Sequence, residues 1–273
     1  MSHKNVVDSS IERNATLSRS SGARPSFGAA MFFEATKLWA VRSTRITLAS
    51  ALIAHIGLSW LLAFSAKASG DNGYESFMPA PYMSLASLQL AQLFVAALAA
   101  LSITSEYSNG TIFSSLQAVP LRARLLGAKA AVIGILGFVF GLLLIGAGTL
   151  LAAPAAGHYG AFGADELLIA LFGGGFYLGA LSMMMLGVGV LLRSTAGAIT
   201  SAFVLIFGLP QILPLFNIQW LQDLAFYLPT NAGQILGTGQ TEPYGATVAV
   251  LVLVLWTLVL LGSGIWVFKR RDA

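Results

Sequence analysis

The chain has 273 residues, of which 56% are hydrophobic and 10% charged, against roughly 45–50% and 25% in soluble domains. At a mean hydropathy of +0.79 it has too little polar surface to coat a water-soluble core, so lipid is the solvent for most of it. The absence of cysteine excludes a disulfide framework, a zinc-thiolate or iron-sulfur site and a cysteine nucleophile, and a net charge of +4 in such a chain points to membrane orientation rather than nucleic acid.

Residues 1–26 are rich in Ser, Arg and Asn with few large apolar groups, which predicts a disordered cytoplasmic tail. From Phe27 the chain turns apolar, and Met31, Phe32, Ala35, Leu38 and Trp39 fall on one helical arc, with Glu34 and Lys37 off it. That pattern predicts a helix lying in the inner membrane interface. Arg42 interrupts the arc, and there the surface helix is expected to turn into the first span.

Stretches apolar and long enough to cross about 30 Å of hydrocarbon as helix lie at 46–66, 83–103, 130–153, 167–192, 195–216 and 246–268. None contains Asp, Glu, Lys or Arg, and none alternates like a barrel strand. The predicted fold class is therefore an all-α integral membrane protein with six transmembrane helices in one domain over 27–273. The first span starts too late for a cleaved signal peptide, so the N-terminus is expected to be retained. An even span count puts both termini on one side. Every Lys and Arg except Lys67 falls on that side, while Asp71, Glu75, Asp165, Glu166, Asp223 and Glu242 fall on the other. By the positive-inside rule both termini are cytoplasmic.

Between the second and third spans lies the only sizeable inner loop, 104–129. Its middle, 111–118, can form two helical turns with Ile112, Phe113 and Leu116 on one side, closed by Pro120, and a short helix parallel to the membrane is predicted there. The last outer loop, 217–245, holds Ile218, Trp220, Leu221, Leu224, Phe226, Tyr227 and Leu228, and is expected to fold back on the membrane face, with Pro229 as a break.

Chemistry inside the spans is sparse. His55 is the sole titratable group in mid-span, either a proton carrier or substrate contact or a helix-packing hydrogen bond. Gln89 and Gln92, three apart on one face, either line a substrate path or bond between helices. Met183, Met184 and Met185 offer a soft surface to apolar ligands, or ordinary packing, and Gln211 is a further candidate on the path. The GxxxG pairs Gly137/Gly141 and Gly175/Gly179 read as bundle packing. Pro210 and Pro214 break the fifth span near its outer end. Gly57-Leu-Ser-Trp60 matches the GxSx around intramembrane serine nucleophiles, with His55 and His158 as imaginable bases, but His158 is expected in an outer loop. No GxxxxGK[ST] loop occurs, so nucleotide hydrolysis by that machinery is excluded on this chain, and no metal site is expected.

The stretch Ser105-Glu-Tyr-Ser-Asn-Gly-Thr-Ile112, continuing to Leu116, Val119-Pro120, Arg124 and Gly127-Ala-Lys129, resembles the E-(R/Y)-x-x-G-T…L-x-x-x-P-x-x-R…K segment of ATP-binding-cassette type-2 permeases, the membrane halves of bacterial exporters. Glu34-Ala-Thr-Lys-Leu-Trp-Ala-Val-Arg-Ser-Thr44 is similar to the E-x-x-K-L…R-S-T before their first span, and Tyr227-Leu-Pro-Thr-Asn-Ala-Gly-Gln234 to the Pro-bearing segment before their last. The resemblance implies a six-span permease domain in the bacterial cytoplasmic membrane, paired with a second permease copy and moving a small hydrophobic or amphipathic substrate outward. It implies ATP and magnesium on a separate ATPase subunit, with no cofactor on this chain. It places Glu106, Gly110, Thr111 and Pro120 in the helix coupled to that ATPase, and Glu34, Lys37 and Arg42 in the interfacial helix. The alternative to a coupling role is that Glu106 caps the loop helix. Tyr107 stands where many relatives carry Arg. A stand-alone carrier or channel, or a membrane scaffold, is the rival reading of the same composition.

Overall fold

The computed structural model describes residues 26–74, 77–118 and 121–270, and among them every regular element is helical. In chain order these are α1 (Phe27–Ala40), α2 (Arg42–Asp71), α3 (Ala80–Ser108), α4 (Ile112–Ala118), α5 (Arg122–Ala156), α6 (Ala164–Leu192), α7 (Thr195–Phe203), α8 (Leu209–Ile212), α9 (Gln219–Phe226), α10 (Pro229–Thr238) and α11 (Ala246–Arg270). Helices α2, α3, α5, α6 and α11, and the composite rod from Thr195 to Leu215, are the six long and apolar enough to cross a membrane. They correspond one for one with the six predicted stretches, most of them extended by several residues at one or both ends. The tail reading falls on residues 1–25, outside the described residues; Ser26 belongs to α1, where its hydroxyl accepts from the amide of Ala29 at 3.2 Å.

Helix α6 is the axis. Of its most apolar stretch 78% is buried, against 17% for α11 on the outside. Between apolar helices in lipid there is no hydrophobic drive to associate, so close backbone approach decides who packs on whom. Glycines supply it. A methyl group on Gly141 of α5 would sit 2.7 Å from the Cα of Gly175 on α6, and one on Gly179 would meet the carbonyl of Gly134 at 3.0 Å. The two GxxxG pairs are thus each other's partners. Farther along α6, a methyl group on Gly187 would lie 2.7 Å from the Cα of Leu261 on α11, so the same helix meets α5 and α11 backbone to backbone.

Its ends are equally determined. The Glu166 carboxylate accepts from the amide of Gly163 at 2.7 Å and, with Asp165, puts negative charge at the positive end of the helix dipole. Arg193 terminates α6 in the left-handed conformation (φ 50°), and the next residue, Ser194, caps α7 by accepting from Gly197.

The fifth span is not one helix. After α7 the backbone widens into a π-turn over Val204–Gly208, followed by α8 and a 3-10 turn over Leu213–Leu215. Pro210 has no amide to give to Ile206, four residues back. The Thr230 hydroxyl on α10 takes that place, donating to the Ile206 carbonyl at 3.3 Å. The loop that follows also departs from its expectation. It forms α9 and α10 on either side of a break at 227–228, and Pro229 opens α10, as suits a residue without an amide in the first turn. Helix α10 does not lie on the membrane face but packs into the bundle: a methyl group on Gly237 would touch Leu85 of α3, and one on Gly173 of α6 would lie 2.7 Å from the amide nitrogen of Gly237.

Candidate functional site

Four charged side chains meet at the end of the bundle that carries α1 and α4. Glu34 and Lys37 come from consecutive turns of α1, Glu106 from the last turn of α3, and Lys129 from the second turn of α5. Glu34, Lys129 and Glu106 are 0%, 1% and 3% exposed, Lys37 29%. Charges removed from water persist only when paired and hydrogen-bonded, and here nearly every proton has a place. The Lys129 ammonium donates to Glu34 Oε2, to Glu106 Oε1 at 2.6 Å and to the Ser102 carbonyl at 3.3 Å, which uses its three N–H groups. Lys37 donates to Glu106 Oε1 at 2.6 Å and to Ser115 Oγ at 2.9 Å, and its ammonium lies 5.6 Å from the ring centre of Phe33. Ser115, on α4, lies within reach to donate its own proton to Glu106 Oε2 at 3.1 Å or to the Thr111 carbonyl at 3.2 Å.

One group is left over. Glu34 Oε1 is buried without a hydrogen-bond donor, and it stands 3.7 Å from Lys37 Nζ, too far for a bond. Both line a cavity of about 410 Å³ between α1, the start of α2 and the end of α3, which also receives Leu38, Leu98, Leu101 and Thr111.

The structure brings together Glu34, Lys37, Glu106 and Thr111. Glu34, off the apolar arc of α1, is the most deeply buried charge of the cluster, while Phe32 and Trp39 on that arc are exposed. Glu106 does not cap α4 through backbone amides; it reaches that helix through the Ser115 hydroxyl. Arg42 is not on the interfacial helix: Val41 is extended (φ −81°, ψ 120°), and Arg42 opens α2 as an exposed residue. Gly110 has φ +68°, a conformation that favours glycine at the sharp turn between α3 and α4. Pro120 lies outside the described residues. Tyr107 lends its ring face to the Arg193 guanidinium at 4.9 Å, which fastens the α6–α7 turn to the end of α3. Thr195 donates to Thr104 at 3.1 Å alongside.

Sequence reasoning missed Lys129 and Ser115 as site residues. A signal for Lys129 was present: on the basic side, Glu34 and Glu106 are the only acids between residues 27 and 270, and Lys129 is one of the cations that directly abut a charge-free span. Ser115 carried no signal.

Deeper in the bundle most of the candidates are hydrogen-bonded or packed between helices. His55 is sealed, with Nδ1 2.9 Å from Ser87 Oγ and Nε2 3.1 Å from Ser84 Oγ; Ser59 Oγ lies 2.6 Å from Ser87 Oγ, and Ser84 donates to the Ile145 carbonyl at 3.1 Å. These side chains knit α2, α3 and α5 at Gly148, where a methyl group would lie 2.7 Å from both His55 Nε2 and Ser59 Oγ. Ser59 is fully buried, and His158 packs against the ring of Tyr159 in the turn after α5, so these two do not face one another. Met184 is wholly buried in the core. Gln211 is exposed on α8. Gln92 donates to Gln89 Oε1 at 2.8 Å and accepts from the Tyr177 hydroxyl, which also lies 3.4 Å from Thr230 Oγ1, so the glutamines belong to a chain running from α3 through α6 to α10 and the Ile206 carbonyl. Replacing Tyr177 by phenylalanine leaves Gln92 Oε1 without its donor, and thermal unfolding in detergent is expected to show a loss of about 1 kcal/mol, the scale of one interhelical hydrogen bond in a membrane protein.

Among the described residues no three of His, Asp and Glu converge as metal ligands. No family model matches the chain, and no curated protein matches it.

Proposed function

We propose that this chain is the membrane-spanning permease subunit of an ATP-driven exporter, moving a small hydrophobic or amphipathic substrate outward with energy from ATP hydrolysed on a separate partner subunit. The observation that carries the reading is the ion cluster itself. Helix α4 is seven residues long in the loop between two spans, too short to be stable alone, yet Ser115 joins it to Glu106 and Lys37, and through them to α1, α3 and α5. A push on α4 from a soluble partner is therefore delivered to three helices as a rigid-body displacement rather than lost in a slack loop. Two permease copies and the resemblance of 105–129 to type-2 permeases complete the proposal.

The test is a mild-detergent pull-down of the full chain from its native membrane, with the recovered ATPase identified by mass spectrometry and its ATP hydrolysis measured. A nucleotide-hydrolysing subunit is expected in near-equal amount. Gly110→Pro, which cannot adopt φ +68°, is expected to lose that subunit. Glu106→Ala is expected to keep it while weakening the dependence of hydrolysis on the permease by about 5- to 150-fold, the range of ordinary coupling energies. A chain recovered alone in several detergents would sink the proposal in favour of a stand-alone carrier or a scaffold.

A further inference from the structure

The fifth span starts beside Thr104, at the end of the bundle that carries the ion cluster, so the loop after Leu215 lies at the opposite end. There a cleft of about 550 Å³, within the range of small-molecule sites, opens between residues 214–217, α9 and the first turn of α10. At about 100° per residue, α9 divides into three faces. Leu221 and Ala225 pack against Leu213 and Leu228, Trp220 and Leu224 form an exposed apolar edge, and Gln219, Gln222, Asp223 and Phe226 line the cleft. A helix so divided lies in a membrane interface with its apolar edge toward lipid and its polar face toward water. The cleft therefore opens to the aqueous side.

Its walls are fixed by side chains that take up the loop's carbonyls. Gln222 donates to the Phe216 carbonyl at 3.1 Å and Asn231 to that of Ala225 at 2.7 Å, while Tyr244 donates to the Phe226 carbonyl and the Trp256 indole to that of Tyr227 at 2.9 Å. Each of the two amides held in this way keeps a carbonyl oxygen and a second N–H for a ligand. Asn217 and Gln219 add further amides, Asp223 adds two acceptor oxygens, and the ring of Phe226, 41% exposed, is the aromatic surface among them.

Neighbouring donors and acceptors, with acceptors in surplus, beside an aromatic face match vicinal hydroxyls on a rigid ring. Each hydroxyl both donates and accepts, and the C–H face of a pyranose covers the apolar ring. A cation is the poorer fit, because Asp223 is the sole charge lining the cleft and an exposed carboxylate holds a cation weakly in water. A peptide group has one N–H for each carbonyl and leaves the carboxylate unanswered. We propose that the cleft is a saccharide-binding site, in which Gln222, Asn231 and Asp223 hold ring hydroxyls and Phe226 packs under the sugar face. The inference needs neither an ATPase nor transport.

The experiment is saturation-transfer NMR of the full chain in phosphatidylcholine nanodiscs, free of glycoside detergents, with maltose as the probe. The sugar ring protons are expected to receive saturation, with a Kd on the order of 1–10 mM, as for a small polar ligand whose contacts replace contacts with water. Sorbitol, which has hydroxyls but no ring face, is expected to receive none. Phe226→Leu is expected to weaken maltose binding about tenfold. Gln219→Trp fills the cleft from an exposed position and is expected to abolish the signal, with the unfolding temperature unchanged in both variants. Asp223→Asn retains an acceptor and is expected to cost no more than about fivefold. No maltose signal in the parent, equal signals from maltose and sorbitol, or undiminished binding in Gln219→Trp would overturn the site. Binding of spermidine in place of maltose, lost in Asp223→Asn, would replace the saccharide by a cation. Displacement of maltose by a diglucosyl diacylglycerol in the same nanodiscs at a hundredfold lower concentration would assign the cleft to a lipid-borne sugar and overturn its aqueous opening. Since the isolated chain is used, the result is independent of whether an ATPase is recovered.

Discussion

Replacing Lys129 by methionine is expected to destabilise the chain by about 3–5 kcal/mol, the scale of breaking a buried ion pair. Methionine fills a similar volume, so the loss is electrostatic rather than a cavity. Without Lys129, Glu34 Oε2 has no donor and Glu106 retains only Lys37 and Ser115, so two buried carboxylates face one cation. The second half of the prediction separates charge from packing. When Glu34→Met accompanies Lys129→Met, what remains is the neutral and satisfied set Lys37, Glu106 and Ser115, and most of the loss is expected to be recovered, since an apolar replacement of a whole buried pair is often close to neutral. The measurement is thermal unfolding of all variants in one detergent, followed by gel filtration, and read as a double-mutant cycle. If Lys129→Met unfolds within about 1 kcal/mol of the parent, the cluster does not hold the α1–α3–α5 end together.

The other large effect is expected at Gly141. Valine there drives α5 off α6, because the nearest atoms are the Gly175 Cα at 2.7 Å and the Gly174 carbonyl at 3.1 Å, and backbone cannot rotate aside as a side chain can. Overpacking of that kind costs about 3 kcal/mol, and α6 transmits it to every helix it contacts. Gly262 on α11 is the control: a methyl group there meets nothing within 4 Å, and Gly262→Ala is expected to stay within about 1 kcal/mol of the parent. The comparison is of unfolding midpoints and of the fraction of chain recovered as a single species. Equal tolerance at both positions would mean that α5 and α6 are not packed backbone to backbone.

Both effects concern residues whose types were visible in the chain and whose partners were not. The GxxxG pairs were legible as close-approach motifs, but a motif names one face of one helix; that the face of α5 meets the face of α6 follows from the assembled bundle. The amphipathic arc of α1 illustrates the same limit. Periodicity located the helix, yet an apolar arc is equally at home against lipid and against protein, because both are hydrocarbon. The structure seats α1 on the bundle through Ala30 and the ion pairs of Glu34, leaving Phe32 and Trp39 outward. His55 and Gln92 were legible as polar groups in apolar helices, but only the positions of Ser84, Ser87 and Tyr177 make them interhelical links.

The sequence by itself determined the six apolar helices, their order, the interruption by Pro210 and Pro214, the short loop helix and the concentration of basic residues toward one end. These follow from local quantities: twenty-residue apolar runs, proline's missing amide and the signs of nearby charges. Only the tertiary structure decided that Lys129, 95 residues from Glu34 and 23 from Glu106, joins them in one cluster, that α10 inserts into the bundle, and that a cavity opens beside that cluster. Pairing across such separations depends on helix rotation and crossing, which the hydrophobic pattern of an all-apolar span leaves free and which glycine contacts and buried hydrogen bonds then select.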